Sequence, residues 1–125
     1  MNPVAPETDR RLRILILEDE GLIALHLEAV VRGVGHAVVG PVNHLEPALR
    51  IAETEPLDGA VLDIHLNGDS TSYPVAAALE SRRIPFVFVT GIDKGGIAAH
   101  FPGAAVIRKP FDEDRLRDAL RRMLA

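Results

Sequence analysis

Three consecutive carboxylates, Glu18, Asp19 and Glu20, stand directly after the apolar run 14–17. The side chains that would answer them chemically lie far along the chain: Asp63 in VLDIHL, Thr90 in FVFVTG and Lys109 in RKPF, each just past a short apolar run. At the edge of a low-dielectric region two carboxylates ~4 Å apart repel by roughly 4 kcal/mol. Such a cluster needs a cation, a proton or open water. A hard divalent cation is the best offset, and Mg²⁺ binds through one or two carboxylates plus water and phosphate oxygens. Beside such an ion the Asp63 carboxylate would attack a phosphoryl group and become an aspartyl phosphate. Thr90 and Lys109 would then hydrogen-bond and neutralise the phosphoryl oxygens. Glu20 is read differently, as a charge favouring the positive end of the following helix.

Positioning these residues requires strands that end together. Short apolar runs fall at 12–17, 37–42, 59–62, 86–89 and 104–107, continuous rather than alternating, which means strands buried on both faces of a parallel sheet. Helical patterns separate them. Ile23, Leu27, Val30, Val31 and Val34 share one face, and Gly33 and Gly35 stop that helix. Asn43 with Glu46 reads as a capping-box start for a second helix, with Leu45, Ala48, Leu49 and Ala52 on its apolar side. Tyr73 and Pro74 open a third helix. Asp112, Glu113 and Asp114 begin the last, which buries Leu116, Ala119, Leu120 and Met123. Between the last two strands, GIDKGGIAAHF offers three glycines and little apolar stripe, so a helix there is short or loose. Right-handed crossovers then give an α/β, three-layer, doubly wound five-stranded sheet. In such a sheet the functional crevice lies beyond the carboxyl ends of the strands, where Glu18, Asp19, Asp63, Thr90 and Lys109 all stand.

Composition bounds what this crevice serves. The chain has 125 residues, 47% of them hydrophobic, which suits one domain. Residues 1–11 lack periodicity and read as a disordered leader, and 12–125 as the domain. The net charge is -4 with no run of basic residues longer than two, which speaks against nucleic acid and anionic membrane as partners. There is no cysteine for a disulfide or thiolate metal site, and no signal-like or membrane-spanning run, so a cytoplasmic location is expected. The five histidines show no metal-ligand spacing and read as surface or packing residues. The loop after the first strand is acidic rather than glycine-rich, unlike the phosphate cradle of nucleotide and flavin binders.

LILEDE, VLDIHL, FVFVTG and RKPF, in this order and each at a strand end, resemble the four motifs of the response-regulator receiver domain of two-component signalling, over Leu12 to Leu124. The resemblance implies a flavodoxin-like strand order of 2-1-3-4-5. It implies a single-domain regulator in a phosphorelay, phosphorylated on Asp63 from the phosphohistidine of a histidine kinase or histidine phosphotransfer protein. Mg²⁺ would be held by Asp19, Asp63 and the backbone carbonyl of His65, with Glu18 assisting through water. Thr90 would move towards the phosphoryl group, Lys109 would pair with it, and Lys109–Pro110 would be cis. The chain would be no enzyme beyond its own phosphorylation and dephosphorylation. As a stand-alone receiver, a monomer or weak dimer, it would act through contact with a downstream protein. A receiver-like interaction module that works without phosphorylation is the alternative.

One position departs from the family pattern. Many receivers carry an aromatic residue where this chain has Val106, and the rotamer of that ring follows the phosphorylation state. Here the fourth strand is aromatic instead, with Phe86 and Phe88 in PFVFVTG, similar to alphaproteobacterial single-domain receivers whose motif reads Phe-Ala-Thr-Gly. Phe88, or the TGIDKGG loop itself, is expected to replace the missing switch. His65, two residues beyond Asp63, is expected to help set the rate of dephosphorylation.

Overall fold

The structure, a computed structural model, describes residues 11–93 and 95–125. The leader expected at 1–11 lies outside them apart from Arg11. Strands and helices alternate as β1 (Arg13–Leu17), α1 (Gly21–Gly33), β2 (Ala37–Val42), α2 (Leu45–Thr54), β3 (Gly59–Leu62), α3 (Tyr73–Ser81), β4 (Phe86–Thr90), β5 (Ala105–Arg108) and α4 (Glu113–Leu124). A single 3-10 turn, Ile97–His100, lies between β4 and β5. The strands pair in parallel in the order β2-β1-β3-β4-β5. This is the flavodoxin-like arrangement expected from the sequence.

The two faces of the sheet divide the core according to the pleat, since successive side chains on a strand point to opposite faces. Leu15, Leu17, Leu62 and Phe88 pack with Ala48 and Ala52 of α2 and Val75, Ala76 and Leu79 of α3. On the other face Ile14, Ile16, Val61, Val87 and Val89 meet Leu27, Val30 and Val31 of α1 and Leu116 and Leu120 of α4. Both faces of β1, β3 and β4 are therefore dry, which is why their sequences are continuously apolar. Each fully buried Leu, Ile or Val contributes about 1.5–3 kcal/mol relative to exposure, and this apolar sandwich fixes the strand ends. Edge strand β5 keeps only Ile107 inside. At the opposite edge, β2 pairs with β1 through a register shift between Leu15 and Leu17. Gly40 adopts φ 103° there, and a side chain on it would meet the backbone nitrogen of Val42 at 2.7 Å, so only glycine fits.

Several local expectations need correction. The capping box at Asn43 and Glu46 does not form: α2 starts at Leu45 with His44 as its N-cap, and no side chain caps it. Glu46 then sits in the first turn, where its charge still favours the helix dipole. Strand β4 runs on through Thr90, and β5 lies one residue later than its apolar letters indicate. At α4 the acidic start is a true cap, the Asp112 side chain accepting from the backbone N–H of Asp114 at 2.8 Å. Before β5, by contrast, the segment expected to be short or loose forms only the 3-10 turn Ile97–His100. No described helix is long and apolar enough to cross a membrane.

Candidate functional site

The site is assembled by the ladder hydrogen bonds at the carboxyl ends of the strands. Leu17 pairs with Leu62, so Glu18 and Asp63 each stand one residue past the same rung. The Asp63 N–H donates to the Leu17 carbonyl at 2.8 Å and the Glu18 N–H to that of Val42 at 3.0 Å. Thr90 pairs with Arg108, and the Lys109 N–H donates to the Thr90 carbonyl at 2.9 Å. The residues that follow β1, β3 and β5 thereby meet in one crevice, with Thr90 closing β4 next to Lys109.

Carboxylate oxygens of Glu18, Asp19 and Asp63 all lie within 4.8 Å of one another, although they come from β1 and β3. Glu18 and Asp63 are 1% and 4% exposed, whereas Asp19 is partly open to solvent. Lys109 Nζ bridges the buried pair, 3.0 and 3.2 Å from the two oxygens of Glu18 and 3.2 Å from Asp63 Oδ2. Lys109–Pro110 is cis. Thr90 is buried, and its hydroxyl donates to the Ile92 carbonyl at a long 3.4 Å.

Glu20 does more than favour a helix end. It is the N-cap of α1 but makes no side-chain cap; its carboxylate reaches within 3.9 Å of Lys109, and its N–H donates to Glu18 at 3.2 Å. One ammonium therefore faces Glu18, Glu20 and Asp63, with Asp19 beside two of these acids. Burial pushes the Glu18 carboxyl up to about 7; Lys109 opposes the shift and Asp63 adds to it. Burial likewise raises Asp63 above the usual carboxylate range, against the pull of Glu18 and Lys109. Burial alone would lower Lys109, but its contacts with Glu18 and Asp63 outweigh that and raise it. These acids are thus short of positive charge, and an all-oxygen donor set suits a hard cation.

His65 does not turn its ring to the carboxylates. Its Nε2 is sealed from solvent without a hydrogen-bond partner and lies 3.8 Å from Asp93 Oδ1. Asp93, which the sequence reading did not single out, accepts from the N–H groups of Ile97 and Ala98, both at 2.9 Å, and so caps the 3-10 turn. An acid four residues before the first of those amides was the available signal; its weakness lies in the glycines around it. Phe88 is fully buried, with Phe86 at 5.4 Å and Phe101 at 5.9 Å between ring centres, whereas Val106 is exposed.

Strand order, strand-end acids and the bridging lysine define a class of protein: the chain belongs to the receiver-domain family of response regulators, and its structural neighbours include receiver domains. Among particular relatives, it is 40% identical to SdrG from Sphingomonas melonis Fr1, covering 92% of this chain and 98% of that one with a TM-score of 0.80. It is 38% identical over 106 residues to the phyllosphere-induced regulator PhyR of Methylorubrum extorquens, which amounts to 82% of this chain and 40% of PhyR. A substituted PhyR of Bartonella quintana, described as an anti-anti-sigma factor, is 27% identical with a TM-score of 0.81, over 94% of this chain and 50% of that one. The chain thus spans half or less of either PhyR. No family model matches it.

Proposed function

We propose that the chain is a phosphorylation-switched response regulator of a two-component phosphorelay, with Asp63 as phosphoacceptor. The observation that carries this reading is the crevice in which Glu18, Asp19 and Asp63 crowd together with Lys109 between them. A carboxylate oxygen of Asp63 attacks the phosphorus of a phosphohistidine on a histidine kinase or histidine phosphotransfer protein. The P–N bond breaks, its electron pair leaves with the imidazole, and an acyl phosphate forms on Asp63. Attack of water on that phosphorus releases inorganic phosphate and restores the carboxylate. Lys109, already at hydrogen-bond distance from Asp63, is placed to pair with the phosphoryl oxygens, and Thr90 can exchange its long bond to Ile92 for one of them.

The residues present fit Mg²⁺: Asp19, Asp63 and the His65 carbonyl would hold it, with Glu18 assisting through water. When bound, the ion neutralises charge on the carboxylates and on the phosphoryl oxygens. The chain carries out no chemistry on other substrates in this reading, resides in the cytoplasm and acts by binding a downstream protein. The description of a PhyR relative as an anti-anti-sigma factor supports a protein partner of this kind. The exposed Val106 favours the second reading, a module that binds its partner without phosphorylation.

Incubation with Mg²⁺ and acetyl phosphate, followed by intact-mass measurement, tests the reading. A single phosphoryl adduct is expected, and Asp63→Asn abolishes it. Absence of any adduct on the wild-type chain sinks the proposal in favour of the second reading.

A further inference from the structure

Two routes lead away from the phosphoacceptor and meet at Asp93. One runs along β4: the buried Thr90 hydroxyl is tied to the Ile92 carbonyl at 3.4 Å, one residue before Asp93. The other crosses space from the loop after β3, where the His65 ring reaches within 3.8 Å of the Asp93 carboxylate. Asp93 in turn holds both N–H groups that open the 3-10 turn. Just past that turn stands its C-cap, Phe101, which is 3% exposed and packs against Phe88 and Phe86 at 5.9 and 5.6 Å. Phe101 also touches Tyr73 at 5.3 Å, and Tyr73 meets His100 edge-on at 5.5 Å. Tyr73 is 40% exposed, so the chain of rings runs from the strand that carries Thr90 to the protein surface at the start of α3.

We propose that Asp93 and the ring series Phe88–Phe101–Tyr73 carry the state of the phosphoacceptor site to the surface formed by Tyr73 and His100. The inference rests on the phosphorylation reading above. When the Thr90 hydroxyl turns to a phosphoryl oxygen, the Ile92 carbonyl loses its partner. Asp93 transmits the resulting backbone shift because both of its carboxylate oxygens are bonded to the turn. Gly95 and Gly96, at φ 85° and 65°, provide the left-handed backbone that lets the turn pivot beneath it. Phe101, wedged between Phe88 and Tyr73, then alters the packing of the tyrosine ring. The exposed Val106 is not needed for this transfer.

The chain has one tyrosine and no tryptophan, so its tyrosine emission reports Tyr73 alone. Emission and its quenching by acrylamide are measured on the full chain with Mg²⁺, before and after acetyl phosphate, with intact mass recorded on the same samples. The expected result is a change in Tyr73 emission or quenching that grows in step with the adduct. Asp93→Ala still forms the adduct but loses the tyrosine response. Phe101→Leu, which keeps an apolar side chain in the core, loses it as well. A full adduct with silent Tyr73 overturns the relay alone, as does an undiminished response in both variants. Absence of the adduct overturns the phosphorylation reading and the relay with it.

Discussion

Glu18 sits one residue past the buried end of β1, closed to solvent, and shares its nearest cation, Lys109, with Asp63. Its folded pKa is raised from 4.5 to about 7, with burial as the largest cause. As pH climbs past the unfolded value, the unfolded chain releases its proton while the folded chain keeps it. Over that window the folded state binds more protons, so stability falls with rising pH and levels off above the folded value. Asp63, also raised, acts in the same direction. Lys109 does not compensate here, because the stabilising effect of a raised lysine begins to fall only once pH passes its unfolded value of 10.5, well above this window. With metal removed by chelator, urea unfolding should show a loss of about 1–3 kcal/mol between about pH 5 and about pH 8. Glu18→Gln, neutral throughout, should flatten most of that decline. An unchanged slope in Glu18→Gln would place the cause elsewhere.

The ends of α2 and α4 separate what a sequence pattern can promise from what the backbone delivers. Asn43–Glu46 and Asp112–Asp114 both read as helix starts, yet only Asp112 accepts a backbone N–H, while Asn43 lies one residue outside the α2 cap. Asp112→Ala should therefore lower the unfolding free energy by about 1 kcal/mol. Asn43→Ala should leave it within about 0.5 kcal/mol. Equal losses from both in urea titrations would contradict the cap assignment. Strands were legible because burial on both faces leaves uninterrupted apolar runs, and the sites at their ends followed from parallel topology alone. Glu18, Asp19, Asp63 and Lys109 thus come together, with Thr90 at the end of the neighbouring strand and its carbonyl bonded to the Lys109 N–H. What escaped was set by contacts without periodicity. The turn at Ile97–His100 is fixed by one carboxylate and two glycines, and the inward place of Phe101 depends on packing against Phe88 and Tyr73. Glu20 looked like a helix-end charge because nothing local shows that Lys109 lies within reach.

At the scale of the whole molecule, the acids exist as a cluster only because the sheet closes. Glu18 and Asp19 follow β1 and Asp63 follows β3, with α1, β2 and α2 between them in the chain. The unfolded chain disperses these carboxylates, so an ion that needs all of them binds the folded state and stabilises it by mass action. The chain also carries a net charge of -4, and sodium screens charge without demanding any particular geometry. Mg²⁺ should therefore raise the unfolding free energy of the wild-type chain beyond what Na⁺ of matched ionic strength achieves, by about 2.7 kcal/mol when the ion stands at 100 times its dissociation constant. Asp19→Asn keeps the shape of the side chain and leaves the Lys109 bridge between Glu18 and Asp63 in place. Its metal-free stability should stay close to that of the wild type while the extra gain from Mg²⁺ disappears. Urea titrations in matched salts check this directly. Equal stabilisation by the two cations, or a full Mg²⁺ gain in Asp19→Asn, would mean that folding gathers these acids without making an ion site of them.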